Sequence, residues 1–436
     1  NKGSVTMKEQ INVGLLALGT VGGGVVRIIE SHQKELQHQV GCPIQVKKIL
    51  VKDFDKKRDV SVQRELLTDR PEDILNNDEI DVVIEVIGGV EKTKEYIITA
   101  LNNKKHVITA NKDLMALHGG ELHAIAAENG CDLFYEASVG GGIPLIRSLV
   151  EGLASDRITK MMGIMNGTTN YILTKMTNEN ASYDDVLKEA QALGFAEADP
   201  TADVEGLDSA RKMVILSTLG FSMRIELEDV SVEGISNVSL EDIEYAKQFG
   251  YTMKLIGIAE RTNGRVEISV QPTLIPNTHP LASVNNEFNA VYVYGEAVGE
   301  TMFYGPGAGQ LPTATAVVSD LVAVVKNMRL GVTGKSVVLP QFDKQLKEKD
   351  EIYSKYFLRF LVKDEAGAFS KISALFADRQ ISLEKLLQLP VNNNGKAEVI
   401  VVTHRTTKQA YEEIITQLRD LDVVYEVKSS YRVEGE

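Results

Sequence analysis

Ile11-Asn12-Val13-Gly14-Leu15-Leu16-Ala17-Leu18-Gly19-Thr20-Val21-Gly22-Gly23-Gly24 is an apolar run that ends in a cluster of glycines. Ile11 to Leu18 reads as a buried strand, and Val21 to Glu30 as the helix behind it. Glycines between a strand and a helix let the backbone approach a pyrophosphate at the helix N-terminus. The plainer alternative is a strand–helix turn with packing glycines. Ala17 stands where the G-x-G-x-x-G pattern has its first glycine, so the literal motif is incomplete.

Outward from this turn the same rhythm repeats. Ile44 to Val51, Asp81 to Ile87 (DVVIEVI) and His106 to Thr109 are further apolar strands, and Lys92 to Asn102 carries a helical pattern. Strands alternating with helices predict a parallel sheet with right-handed crossovers. The second strand runs into Lys52-Asp53-Phe54-Asp55-Lys56-Lys57-Arg58. An acid there takes a ribose hydroxyl and a base takes a 2′-phosphate. Both are present, so NAD and NADP stay open. Lys52 is the best phosphate candidate, with a solvated surface lysine as the alternative.

From about Gly142 the pattern changes. Arg265 to Val270 and Ala290 to Tyr294 alternate apolar and polar residues, which predicts an α+β domain with a one-sided sheet. Pro312 opens a helix over Ala314 to Val325. Pro340 to Glu351 (PQFDKQLKEKDE) is dense in charge and reads as an exposed linker crossed by few contacts. Beyond it, Tyr356–Val362, Phe369–Asp378, a short strand within Ile381–Leu389, Ala397–Thr403, Lys408–Leu418 and Val423–Tyr431 form a βαββαβ unit. The expected division is 7–141 for dinucleotide binding (completed by 309–333), 142–308 for catalysis and dimerisation, 334–353 as linker, and 354–434 as the tail.

The bulk composition narrows the function. The chain has 436 residues, 43% hydrophobic and 25% charged, as in an ordinary globular protein. Its net charge of −14 excludes the basic footprint that nucleic acid needs. No apolar run approaches a membrane span, and none reads as a secretory signal. Asn1 to Thr6 carries no fold meaning. Two cysteines, Cys42 and Cys131, suit a reducing, cytoplasmic setting. A small metabolite is the expected partner.

Three segments carry chemistry. Ile108-Thr109-Ala110-Asn111-Lys112 puts a lysine just past the C-terminal end of a parallel strand, where ligands of open α/β sheets bind. Met165-Asn166-Gly167-Thr168-Thr169-Asn170-Tyr171 opens an apolar helix with small polar groups, which as packing is only a cap cluster. Gly194 to Lys212 (GFAEADPTADVEGLDSARK) crowds carboxylates toward a helix on which Asp208 and Lys212 share a face. Ile215 and Leu219 fall on the same stripe, so that helix reads as buried. A buried lysine beside a carboxylate can trade protons near neutrality, whereas a surface ion pair is the bland alternative.

Together L-G-T-V-G, T-A-N-K, E-A-S-V-G-G-G-I-P, N-G-T-T-N-Y, G-F-A-E-A-D-P-T-x-D-V-x-G-x-D-x-A-x-K and Tyr304-Gly305-Pro306-Gly307-Ala308-Gly309 resemble the homoserine dehydrogenase family, from about Ile11 to Gly331. The resemblance implies a Rossmann-type sheet, then an α+β domain, and interconversion of L-homoserine and L-aspartate 4-semialdehyde with NADP(H) or NAD(H). Lys212 would be the proton donor, with Lys112 beside the same oxygen. Glu197, Asp203 and Asp208 would hold the substrate, with Gly167 and Thr168 lining it. Leu18, Gly19, Thr20, Val21, Gly22, Lys52, Lys112, Gly194 and Gly309 would meet the cofactor. Glu136, with the carbonyls of Val139, Gly141 and Ile143, matches the family's site for a monovalent cation, sodium. A homodimer or homotetramer is expected.

The tail resembles a ferredoxin-like ACT domain, with Asp364 to Gly367 at its D-x-x-G turn. It implies an amino-acid effector, threonine in this pathway of threonine and methionine biosynthesis; a purely assembling role is the alternative. Two other readings compete. An aspartate-semialdehyde dehydrogenase needs a nucleophilic cysteine, and neither cysteine lies at a glycine-rich turn. A non-catalytic amino-acid sensor would have no use for both Lys112 and Lys212.

Overall fold

The computed structural model describes residues 8–392 and 394–436, so the segment before Met7 and the boundary at residue 7 lie outside the described residues. The chain forms two compact units, Asn1–Ile158 with Arg211–Glu228 and Gly295–Lys344, and Thr159–Ala210 with Asp229–Tyr294 and Gln345–Glu436.

In the first unit, β1 (Ile11–Leu16), β2 (Ile44–Leu50), β3 (Leu67–Thr68), β4 (Val82–Glu85), β5 (His106–Thr109) and β6 (Leu133–Phe134) form a sheet of order 3-2-1-4-5-6. Every pairing is parallel. The order reverses between β1 and β4, the place where open α/β sheets bind ligands. β4 is buried throughout, as expected when helices cover both faces. The helix Thr20–Ser31 packs on Gln310–Leu330 so closely that a Cβ on Gly24 would lie 2.8 Å from the Gln310 carbonyl oxygen. Ala314, Val317, Leu321 and Val324 of the later helix join the core of the parallel sheet. The strands are shorter than the apolar runs suggested, because Ala17–Leu18 and Val86–Ile87 turn toward the ligand edge of the sheet.

The second unit is built on β7 (Ile158–Ile164), β8 (Val230–Val232), β9 (Tyr251–Thr262), β10 (Arg265–Pro276) and β11 (Phe288–Gly295). The short strand β12 (Gly299–Pro306) belongs to the first unit. β9 and β10 make a long hairpin, registered from Arg265↔Thr262 to Pro276↔Tyr251. Its turn is Asn263-Gly264, both at positive φ, the pair that a two-residue hairpin favours. The expected one-sided sheet is not what forms. β9 and β10 are buried along most of their length, and polar residues point into protein on both faces. They are tolerated because they are paired. Lys254 is 1% exposed and donates to the Val284 carbonyl at 2.5 Å and to Asn170 Oδ1 at 3.2 Å. Burial pulls its ammonium down to about 8.

The tail follows the expected βαββαβ order. β13 (Tyr353–Lys363), the helix Ala368–Asp378, β14 (Leu383–Val391), β15 (Lys396–Thr403), the two-residue β16 (Thr406–Thr407), the helix Lys408–Asp420 and β17 (Val424–Val433) enclose a core of Leu358, Phe360, Ile372, Phe376, Val399, Ile414 and Leu418. It is not a free appendage. β17 pairs antiparallel with β13 on one side and parallel with β10 on the other, through Thr273↔Arg432 and Leu274↔Val433. Arg432 donates to both oxygens of Glu267 on β10, at 3.1 and 2.7 Å, and to Glu434 at 2.8 Å. Lys160 on β7 also reaches Glu434, at 2.7 Å. On the far face, Arg359 of β13 bonds Asp242 of the helix Leu240–Gln248 and Glu398 of β15, both at 2.7 Å.

The expected uncluttered linker is therefore corrected. Arg265 donates to Glu351 and to the Leu346 carbonyl, and Val266 exchanges backbone bonds with Gln345 and Lys347. The charges that made 340–351 look solvated are partly spent on β10.

Candidate active site

The first turn is tight, as the glycines predicted, but it is not free of strain. Ala17 adopts φ +98°, a conformation that glycine takes without cost. Two residues on, Gly19 caps the helix Thr20–Ser31 with no side-chain bond, leaving its first amides facing outward. A Cβ on Gly22 would sit 2.4 Å from the Ala17 carbonyl oxygen, so only glycine fits there. Leu18 is buried, Val21 half-buried, and Gly19 and Thr20 exposed. Lys52 is exposed at the end of β2, where Arg58 donates to the Asp53 carbonyl. Gly309 is exposed at the start of Gln310–Leu330.

At the C-terminal ends of β4 and β5 a residue not singled out in the sequence organises the loops. Glu85 is fully buried, accepts from Thr109 Oγ1 at 2.6 Å, and accepts from the amides of Ile87 and Gly88. Burial raises its carboxyl above the ordinary range against the pull of those bonds. Thr109 Oγ1 in turn receives the Asn111 amide, and Asn111 caps the helix Lys112–Glu128 through Leu114 N. This chain of bonds fixes where Lys112 begins its helix. The acid in DVVIEVI was the available signal, since a lone carboxylate in a central strand must have partners.

Lys112 and Lys212 are both half-buried. The expectation of a buried Lys212 is thus corrected: Arg211 and Lys212 keep partial exposure while Met213 to Ser217 of the same helix, Leu207–Phe221, are buried. Their chain neighbours meet: Arg211 Nε lies 3.4 Å from Asp113 Oδ1. The two lysine-bearing helices are held together one residue from each lysine.

In the second unit, Asn166 follows β7 and caps the helix Gly167–Glu179, its Oδ1 accepting from Thr169 N at 2.9 Å. Its Nδ2 donates to Asp203 Oδ1 at 2.7 Å and to Asp208 Oδ2 at 2.8 Å. Thr168 donates to the Phe195 carbonyl at 2.6 Å, which anchors the exposed Gly194–Asp199 segment, and Phe195 packs on Tyr171. Gly167 is half-buried at the first position of the helix. Asp203 and Asp208 thus meet at one carboxamide. Glu197 is exposed, with its carbonyl receiving Gln191.

Glu136 is buried and accepts from Ile146 N at 2.8 Å and Arg147 N at 3.2 Å. Val139, Gly141 and Ile143 are buried in the same turn. Behind it, Asp320 accepts from Glu136 N and from Arg147 Nη2, and burial lifts its carboxyl to about 7.

Comparison with known proteins settles the family. A homoserine dehydrogenase family model matches residues 144–322, the NAD-binding domain of homoserine dehydrogenase matches 18–136, and an ACT domain matches 356–423. The homoserine dehydrogenase of Bacillus subtilis is 64% identical over 98% of this chain and 99% of its own. The chain belongs to the homoserine dehydrogenase family. A crystal structure of a homoserine dehydrogenase from Thiobacillus denitrificans superposes with TM-score 0.92 at 40% identity, covering 98% of each chain. A hyperthermophilic archaeal homoserine dehydrogenase in complex with NADPH gives TM-score 0.60 at 26% identity over 72% of this chain and 97% of that one.

As a homoserine dehydrogenase the chain is an oxidoreductase with a nicotinamide-binding domain. The thioester alternative finds no nucleophile: Cys42 and Cys131 are both buried, and burial pushes the Cys131 thiol up to about 11. The sensor reading falls with the family assignment. Among the described residues no helix is long and apolar enough to cross a membrane.

Proposed function

We propose that this homoserine dehydrogenase interconverts L-homoserine and L-aspartate 4-semialdehyde in the cytoplasm, within threonine and methionine biosynthesis, with Lys212 as the proton-transferring residue. The open helix N-terminus at Gly19–Gly22 and the strand reversal between β1 and β4 fit a dinucleotide pyrophosphate. Leu18 to Gly22, Gly194 and Gly309 would hold it, and Lys52 would take the 2′-phosphate if the cofactor is NADP(H). The nicotinamide supplies or accepts the hydride when bound.

The protein's own residues handle charge and protons. In the reducing direction the Lys212 ammonium gives a proton from Nζ to the aldehyde oxygen, and in the oxidising direction the amine takes it from the hydroxyl. Lys112 donates a hydrogen bond to the same oxygen and stabilises the charge developing on it. Asp203, Asp208 and Glu197 receive the substrate ammonium. Gly167 and Thr168 open a helix whose N-terminal dipole favours the substrate carboxylate.

Glu136 and the carbonyls of Val139, Gly141 and Ile143 suit a monovalent cation such as sodium, since a buried carboxylate among carbonyls is a hard oxygen donor set. The ACT domain takes an amino-acid effector, threonine, and the enzyme works as a homodimer or homotetramer. The proposed division is 7–141 with 309–333 for the cofactor, 142–308 for substrate and 354–434 for regulation.

The observation that carries the reading is the Arg211–Asp113 contact at 3.4 Å, made by the residues next in sequence to Lys212 and Lys112. The test is Lys212→Ala. Turnover falls by about 10²–10⁴, as for loss of a positioned general acid, while cofactor binding by fluorescence titration stays near wild type. Activity within a few-fold of wild type would remove Lys212 from this role.

A further inference from the structure

We infer that Asn166 is the positioning residue that sets the spacing of Asp203 and Asp208 for the substrate's ammonium group. The inference rests on the reading of those two carboxylates as ammonium ligands and names what holds them in register.

The Asn166 side chain is 5% exposed, and its hydrogen-bonding capacity is directed at both ends. Oδ1 accepts from Thr169 N and from Thr169 Oγ1, each at 2.9 Å. The two Nδ2 protons go to Asp203 Oδ1 at 2.7 Å and to Asp208 Oδ2 at 2.8 Å. The amide cannot be reversed, because its oxygen would then face two carboxylates and its nitrogen a backbone N–H.

Two carboxylates brought to one nitrogen repel each other, and proteins usually relieve this with a cation. Here the bridging group is neutral. It fixes the separation of the anions through two hydrogen bonds. A lysine or arginine at 166 would hold them as firmly but would occupy the place of the incoming ammonium. Asp203 lies in the short helix Thr201–Val204 and Asp208 at the start of Leu207–Phe221, so without the bridge the intervening Gly206 turn could alter their spacing. Asn166 also caps Gly167–Glu179, so the helix that presents Gly167 and Thr168 shares one anchor with the carboxylates.

Asn166→Asp and Asn166→Ser test this, because both aspartate and serine cap helices as well as asparagine does. Neither can bridge two carboxylates in the same way: one loses the donors, the other is too short. KM for homoserine should rise by about tenfold or more, the effect of losing hydrogen bonds to charged groups. KM for the nicotinamide cofactor and the melting temperature should stay near wild type. That split separates positioning from general damage. The idea is overturned if either folded variant keeps the wild-type KM for homoserine, or if both Michaelis constants rise together. Asn166→Ser carries the test alone if Asn166→Asp does not fold. Asp208→Asn is measured in parallel. No change there overturns the ammonium reading itself, whereas a raised KM in Asp208→Asn with unaffected Asn166 variants overturns only the role of Asn166.

Discussion

Two buried clusters in the second unit share one plan. At Asn166 a single side chain donates to two carboxylates, Asp203 and Asp208, and at Arg432 a single side chain donates to Glu267 and Glu434. The difference is charge. The guanidinium, with Lys160 beside it, sets two cations against two carboxylates and makes a closed, self-satisfied joint between β17, β10 and β7. The carboxamide is neutral and joins its two carboxylates through hydrogen bonds alone. An ionic cluster ties three strands into one sheet, whereas a neutral bridge holds two carboxylates at a fixed spacing beside a helix start.

The comparison can be broken most forcefully by removing the closed cluster altogether. Cutting the chain near residue 350 takes away β13 to β17, leaves Glu267 and Lys160 without the Arg432 and Glu434 they pair with, and exposes part of β10. We expect the truncated protein to be insoluble or unfolded by circular dichroism. A soluble, active product would show the joint to be dispensable.

A point substitution asks the same question more gently. Arg432→Met leaves Glu267 buried without its cation and Glu434 with Lys160 alone, which costs about 3–5 kcal/mol. Denaturant melts should show that loss, while the folded fraction keeps its KM for homoserine. Asp208→Asn should do the reverse, with little loss of stability and a raised KM.

Acid should open the closed cluster for the same reason. Arg432 and Lys160 hold the Glu434 carboxyl down to about 2, below its usual 4.5, despite burial. A depressed folded pKa gives stability that is complete above the unfolded value and is lost as pH falls through the folded one. The contribution therefore disappears between pH 4.5 and about 2. Urea melts across that window should show wild type losing more stability than Arg432→Met.

The smallest effect belongs to the first unit, at the glycine-rich turn after β1. Ala17→Gly should stabilise by up to about 1 kcal/mol, because φ +98° suits glycine. A drop in melting temperature would show that the alanine methyl packs better than the strain costs.

Much of this was legible in the sequence, for a local reason. The strands of the parallel sheet are short apolar runs, and the tail's six elements follow from periodicity within about 80 residues. Lys112, Asp203 and Asp208 lie in contiguous motifs. Arg359, Glu267 and Arg432 were not legible, because their partners stand far off in sequence and polar residues on an alternating strand look solvated. The same masking turned a tied segment at 345–351 into an apparent linker. Asn166 could be seen as a cap, but not as a bridge, since nothing in N-G-T-T-N-Y says what its second pair of bonds meets.

The joint at Arg432 also imposes an order of events on synthesis. Glu267 waits for a partner 165 residues downstream, and Lys160 for one 274 residues downstream. At translation rates of roughly 5–20 residues per second, Glu267 spends on the order of ten to thirty seconds on the ribosome before Arg432 exists. Through that interval β10 lacks its β17 neighbour. The hairpin of β9 and β10 presents an unpaired edge, of the kind prone to association, until β17 of the ACT domain arrives.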